Sequence, residues 1–149
     1  MSNEVDFIDI SVANIDDFNS ILDLDESVYG FRTRGRFIAE SILKSECFKA
    51  GLNGKIVGFL ILNYTFYENG FIDLLIVDNS YRRRRIGKKL MEYAGSRCIT
   101  EKIFTSTNES NLSMQGLLSS CGYIKCGYIN NLDDGNPELV YYKRVRQDK

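Results

Sequence analysis

A run of basic residues, Arg82-Arg83-Arg84-Arg85-Ile86-Gly87, separates two segments of different character. Before it, Phe71–Val77 is an apolar stretch interrupted only by Asp73, which predicts a strand buried on both faces. From Ile86 onwards, apolar residues recur at three- and four-residue spacing, which predicts one face of an amphipathic helix. The basic run is therefore expected in the turn that opens a helix.

This position favours the binding of an anion. The first turn of a helix has backbone N–H groups without intrahelical partners and the positive end of the helix dipole, and together these bind phosphate. Four arginines followed by Lys88 and Lys89 repel that dipole and one another unless an anion neutralises them. Gly87 has no Cβ, so the backbone can approach such a ligand closely. We predict a pyrophosphate site here; a solvated basic patch is the alternative.

The same turn resembles motif A of the GNAT superfamily of acyl-CoA-dependent N-acyltransferases. The motif is written Arg/Gln-x-x-Gly-x-Gly/Ala, and it falls on Arg82, Arg85 and Gly87, after the apolar residues Leu75-Ile76-Val77. Arg85 departs from the family pattern because it occupies the position of the first glycine.

A second segment, Asn111–Tyr123, resembles motif B of that family, Asn-x-x-Ala-x-x-Phe-Tyr-x-x-x-Gly-Phe. Leu118 occupies the position where many members carry a tyrosine that protonates the departing thiolate, and leucine cannot do this. Tyr123, Tyr64 or Cys121 could supply the proton instead, or the thiolate could leave unaided.

Apolar periodicity along the chain predicts the order β-α-α-β-β-β-α-β-α-β-β. The resemblance implies an α/β class (a mixed α+β sheet) with the GNAT acyl-CoA N-acyltransferase fold, splayed central strands four and five, and one N-acetyltransferase domain over residues 1–149. An acidic segment, Asp23–Phe31, is expected between the first two helices, and the second helix at about 34–45. The predicted strands are Phe7–Val12, Cys47–Leu52, Ile56–Tyr64, Phe71–Val77, Lys102–Thr107, Tyr123–Ile129 and Leu139–Val145.

The resemblance also implies acetyl-CoA as co-substrate, with its pantetheine arm along strand four and its pyrophosphate on the basic turn. Asn111 would contact the arm from the other side, or it simply caps a helix. The predicted cofactor-binding residues are Leu75, Ile76, Val77, Arg82, Arg83, Arg84, Arg85, Ile86, Gly87, Lys88 and Asn111.

Direct attack of a neutral amine on the thioester needs a group that accepts the amine's proton. The chain has no histidine, so the base must be Asp, Glu, Tyr or a relayed water. Asp73 is the first candidate because it is the charged residue of an apolar strand, where burial would make its carboxylate a stronger base. Glu138, expected in an acidic turn, is the second, and Tyr123 is the candidate proton donor. A ping-pong route through Cys121 is a further alternative.

The resemblance implies that the segment Asp25–Arg36, between the first two helices, is the wall of the acceptor site. Tyr29 and Phe31 could pack the apolar part of a substrate or contact a cation, and Arg32 could meet a carboxylate. Three activities stay open: acetylation of a small amine or amino-acid-like metabolite, acetylation of a protein lysine or N-terminus, and acyl-CoA binding without catalysis. A homodimer is possible.

Composition narrows the class of protein further. A net charge of −1 argues against nucleic-acid binding, which needs a basic excess. Apolar runs fall short of the roughly 20 residues of a membrane span, and the acidic start MSNEVDF is unlike a signal peptide. The four cysteines fit no common zinc spacing. We expect a cytoplasmic protein without a metal and without nucleic-acid or membrane partners.

Overall fold

The computed structural model describes residues 7–146. The elements follow the predicted order, and the seven strands form one sheet in the order β1-β2-β3-β4-β5-β7-β6. The predicted mixed α/β class is confirmed. The strands and helices are β1 Asp9–Val12, α1 Phe18–Tyr29, α2 Gly35–Leu43, β2 Cys47–Leu52, β3 Lys55–Phe66, β4 Asn69–Val77, α3 Ile86–Arg97, β5 Lys102–Asn108, α4 Leu112–Ser120, β6 Ile124–Ile129 and β7 Glu138–Arg144.

The described residues form two compact units. Unit 1 contains the residues up to Ile61 together with Leu74–Leu90, and unit 2 contains Leu62–Asp73 together with the residues from Met91 onwards. The division does not test the prediction of a single domain. Within residues 7–146, no helix is long and apolar enough to cross a membrane. The prediction of a cytoplasmic location used the acidic start of the chain, and residues 1–6 of that start lie outside the described residues.

The core of unit 1 is built by the apolar faces of α1 and α2. Ile21 and Ile38 are fully buried and belong to one cluster with Phe59 of β3. Two apolar residues near the ends of these helices are exposed. Ile15 lies in a 3₁₀ turn before α1, and Leu43 is the last residue of α2, so neither lies on the packed stripe of its helix.

Within unit 1, the start of α3 packs closely on β3 because Gly58 has no side chain. A Cβ at Gly58 would lie 3.0 Å from Cγ2 of Ile86 and 3.2 Å from Cδ1 of Leu90. Both contacts are tighter than ordinary van der Waals spacing, so the glycine sets how near the start of α3 can approach the strand.

Three local predictions are wrong. The acidic segment from Asp23 to Tyr29 belongs to α1, which continues until Gly30 adopts a φ of 96°. β4 is not buried on both faces: Ile72 and Ile76 are buried, whereas Asp73 is exposed, because burying an unpaired carboxylate is costly. Glu138 opens β7 rather than lying in the acidic turn.

In unit 2, β5 is the central strand. It runs parallel to β4 over three residue pairs, Gly70–Ile72 with Ile103–Thr105. It runs antiparallel to β7 over its whole length, and β7 pairs in turn with the edge strand β6. This register decides which side chains of unit 2 share a face.

Candidate active site

The basic turn of unit 1 lies where the sequence predicts it. After β4, Asp78 caps a short 3₁₀ turn, its carboxylate accepting a hydrogen bond from the Ser80 N–H at 2.9 Å. α3 then begins at Ile86, which is buried and holds the first turn of the helix against unit 1. The backbone between these anchors carries the arginines.

Two of the arginines have a backbone conformation that favours glycine. Arg83 has a φ of 66° and Arg85 a φ of 63°. A side chain in this left-handed region costs about 1–2 kcal/mol because its Cβ crowds the following carbonyl. Arg85 thus stands at the motif's glycine position with the type of φ that glycine adopts freely.

The turn can accept a polyanion. The Lys89 N–H donates to the Arg85 carbonyl at 3.0 Å, so the N–H groups before it have no acceptor within the helix. The side chains of Arg82, Arg83 and Arg85 are exposed. The residues present therefore fit a pyrophosphate such as that of coenzyme A.

The last residues of β4 lead into this turn. Ile76 is buried, while Leu75 and Val77 are half-buried. The predicted cofactor residues other than Asn111 thus form a continuous strand-turn-helix segment of unit 1. The three predicted catalytic residues and Asn111 belong to unit 2.

Asp73 is held by a short hydrogen-bond chain. Asn63 donates through Nδ2 to the Asp73 carboxylate at 2.9 Å. The Asn63 Oδ1 accepts from the Thr65 hydroxyl at 2.7 Å, which turns the amide nitrogen towards Asp73. Asn63 is buried, whereas Asp73 is exposed. A carboxylate oriented in this way and open to solvent can accept a proton.

Glu138 is also held by neutral donors. The Ser106 hydroxyl donates to its Oε2 at 2.7 Å, and Asn108 donates to its Oε1 at 3.1 Å. A carboxylate has about four acceptor positions, so two donors leave capacity for an ammonium group.

The candidates for proton donation have different surroundings. Tyr123 is buried, and burial raises the pKa of its hydroxyl, which has no hydrogen-bond partner among the described residues. The Tyr64 hydroxyl accepts from the Ile99 N–H at 3.1 Å. Leu118 is fully buried in α4, and Cys121 beside the end of that helix is also buried. The raised pKa makes Tyr123 a weaker proton donor than an ordinary tyrosine. Its role as the donor to the thiolate stays a prediction.

Asn111 caps α4. Its side-chain oxygen accepts from the Met114 N–H at 3.1 Å. The capping alternative of the sequence analysis therefore holds, and a contact of Asn111 with the pantetheine arm stays a prediction.

Because α1 continues to Tyr29 and α2 begins at Gly35, only a short connection between these helices remains of the predicted acceptor wall. The rings of Tyr29 and Phe31 meet edge to face at 5.5 Å and are both exposed. Arg32 bonds Asp23 at 2.8 Å and Glu26 at 2.7 Å. These carboxylates neutralise Arg32 in the folded protein, and a contact of Arg32 with a substrate carboxylate stays a prediction.

A neighbouring ion pair holds this connection in place. Asp25 has no exposed surface, and its carboxylate accepts hydrogen bonds from Nε (3.1 Å) and Nη2 (3.0 Å) of Arg34. The Arg34 guanidinium also lies 3.6 Å from the centroid of the Tyr29 ring. Sequence reasoning missed this cluster and the Asn63–Thr65 pair, although an asparagine in the apolar stretch of β3 was a usable signal.

A cavity of about 880 Å³ in unit 1 is lined by α1, by strands β1 to β3 and by Asp78. None of the predicted catalytic, cofactor or acceptor residues lines it. The cavity therefore does not test the predicted catalytic and cofactor-binding residues.

The mixed α/β fold and the basic turn are those expected of an acyltransferase, and comparisons identify the family. The model of the acetyltransferase (GNAT) family matches residues 16–123, so the chain belongs to the GNAT acetyltransferase family. A GNAT family acetyltransferase of Bacillus cereus has 37% sequence identity and a TM-score of 0.92, over 95% of this chain and 99% of that one.

Other relatives differ in what their names say they act on. An aminoglycoside 6'-N-acetyltransferase solved with coenzyme A has 17% identity and a TM-score of 0.79, over 95% of this chain and 99% of that one. N-alpha-acetyltransferase 30 of Dictyostelium discoideum is 30% identical over 77 residues, which cover 44% of this chain and 42% of that protein. The matched region is thus less than half of that relative's length.

Proposed function

We propose that this protein is an N-acetyltransferase that moves an acetyl group from acetyl-CoA to the primary amine of a small metabolite by direct attack. The observation that carries the proposal is the exposed arginine turn, whose backbone N–H groups open a helix directly after β4. Its positive charge and the backbone N–H groups of the first turn of α3 suit a pyrophosphate, and the chain belongs to a family of acetyltransferases.

In this proposal the segment from Leu75 to Lys88 holds acetyl-CoA, which supplies the activated acetyl thioester. The backbone N–H groups of Ile86, Gly87 and Lys88 and the cations of the turn bind the pyrophosphate. Backbone N–H groups at the end of β4 polarise the thioester carbonyl and stabilise the charge that develops on its oxygen.

Asp73 is the proposed proton acceptor for the amine, because Asn63 orients its carboxylate and solvent reaches it. Glu138 is the alternative acceptor. Tyr123 is the proposed donor to the departing thiolate, and the thiolate leaves unaided if Tyr123→Phe keeps full activity.

The first test is thermal unfolding with and without acetyl-CoA. At about 100 times Kd, binding stabilises the folded state by about 2.7 kcal/mol. For a chain of this size that is a rise in Tm of roughly 5–10 °C. Gly87→Val should abolish the rise, whereas Gly116→Val, at an exposed glycine of α4 with open space around it, should keep it. An unchanged Tm in the wild type would contradict acetyl-CoA binding.

Acetylation of a protein N-terminus is the second candidate function. The 30% identity with N-alpha-acetyltransferase 30 over 77 residues favours it. Competition between a small amine and a peptide with a free N-terminus separates the two candidates, because the preferred acceptor carries the acetyl group in the mass spectrum.

A further inference from the structure

The sheet of unit 2 has two faces of different accessibility. Thr105 of β5 and Tyr141 of β7 are opposite each other in the register and almost fully buried. Successive side chains of a strand point to opposite faces, so Phe104 and Tyr142 share the other face, where both are only half-buried. Phe71 joins them, because the parallel register places it beside Phe104.

Four rings line this second face, and we call them the aromatic row: Phe66, Phe71, Phe104 and Tyr142. Phe66 stacks on Phe71 at 5.2 Å and meets Phe104 at 5.0 Å, and Phe104 stacks on Tyr142 at 5.9 Å. All four residues are half-buried, so the row keeps some surface exposed to solvent. Ring faces of this kind bind apolar groups and attract cations.

Carboxylates extend the row at one end. Asp73 follows Phe71 by two residues and Glu138 precedes Tyr142 by four, so strand alternation places both on the face of the row. Within residues 7–146, neither carboxylate forms an ion pair with lysine or arginine.

The other end of the row carries a cation. The Lys102 ammonium lies 5.9 Å from the centroid of the Tyr142 ring. Lys102 precedes Phe104 by two residues, so it lies on the opposite side of that ring from Ser106, the partner of Glu138. A cationic ligand would therefore place its charge at the carboxylate end and its apolar part along the rings.

We propose that the aromatic row binds the apolar body of the acceptor and that Glu138 and Asp73 attract its ammonium group. The acceptor class is thus a primary amine on an aryl or aryl-alkyl body rather than a polar sugar amine or a polyamine. The proposal rests on the proposed function, since it names the substrate class of the same reaction.

The test measures binding of 2-phenylethylamine and of its neutral analogue 2-phenylethanol by titration calorimetry. The amine should bind more tightly than the alcohol, and Glu138→Gln should remove most of that difference. Phe104→Leu and Tyr142→Leu keep apolar volume but remove a ring, and each should weaken amine binding roughly 2- to 12-fold. Tyr128→Leu is the matched control, because Tyr128 is an exposed ring opposite Leu139, on the other face of the same sheet.

Equal binding of amine and alcohol, or equal effects of the row variants and Tyr128→Leu, would overturn the inference. If the protein were a dimer that Phe104→Leu dissociates, and it did not bind the amine, the aromatic row would be a contact with a second copy of the chain. That result would also overturn the inference. If glucosamine or spermidine were acetylated as fast as 2-phenylethylamine, and the row variants had unchanged rates, the aryl-amine inference would be wrong. The proposed acetyltransferase function would still hold. If the protein bound the amine tightly but did not bind acetyl-CoA, the proposed acetyltransferase function would be wrong. The aromatic row would still be an amine-binding surface.

Discussion

Arg85 combines a cationic side chain with a left-handed backbone, and the two have opposite consequences for the protein. The φ of 63° costs stability in a residue with a Cβ. The guanidinium adds a charge to a helix start that is already basic and unfavourable for cations. Both costs are understandable if a polyanion occupies the turn, since the added cation then contributes to binding.

Two substitutions at this residue separate the backbone from the charge. Arg85→Gly and Arg85→Ala both remove the cation, but only glycine relieves the backbone strain. We expect the free energy of unfolding of Arg85→Gly to exceed that of Arg85→Ala by about 1 kcal/mol, measured by urea denaturation. Equal stabilities would mean that the turn relaxes and that the left-handed conformation carries no strain.

At the scale of elements, the connection between α1 and α2 depends on a buried charge. Arg34→Met would leave Asp25 buried without its partner, and such losses cost about 3–5 kcal/mol. Arg36→Met is the control, because Arg36 is 92% exposed and its bond to Glu40 should contribute at most about 1 kcal/mol. Chemical denaturation measures both. Similar losses in the two variants would contradict the role of the Asp25–Arg34 pair.

The start of α1 carries a pH-sensitive bond to β2. Burial opposes ionisation of Asp17, but hydrogen bonds from Lys49 (2.8 Å) and from the Asn14 N–H (2.9 Å) outweigh it, so the pKa of Asp17 is lowered from 3.8. Because the pKa of Asp17 is lower in the folded state than in the unfolded state, ionised Asp17 stabilises the folded state at pH values above its unfolded-state pKa. This stabilisation is lost as the pH falls through the folded-state pKa.

Asp17→Asn should therefore lower the free energy of unfolding at neutral pH and flatten its decline below pH 3.8. Denaturation curves over the acidic range measure this change. Asp16→Asn, at an exposed neighbour, should leave the profile unchanged. An unaltered acid profile in Asp17→Asn would contradict the assignment.

Elements with a strong periodic signal were predictable from the sequence. The apolar spacing after Ile86 predicted α3, and the predicted strand Cys47–Leu52 has the bounds of β2. The end of α1 was not predictable, because the acidic run resembles a loop until Arg34 is known to neutralise Asp25. In the same way, the exposure of Asp73 depends on strand register, which an apolar run alone does not reveal.

For the whole molecule, membership of the family leaves the acceptor open, because the aminoglycoside 6'-N-acetyltransferase of the same fold and N-alpha-acetyltransferase 30 are named for different acceptors. The turn motif was recognisable from the sequence because its residues are contiguous. The aromatic row was not, because its four rings come from four strands whose register only the fold provides.

The most direct measurement is mass-spectrometric detection of the acetylated product from acetyl-CoA and a panel of small primary amines, with a peptide bearing a free N-terminus as competitor. We predict an acetylated small amine in preference to the peptide. Asp73→Asn should lower kcat by about 10²–10⁴, whereas Asp134→Asn, in the exposed acidic turn, should not. Release of coenzyme A without an acetylated amine, or acetylation of the peptide alone, would contradict the account.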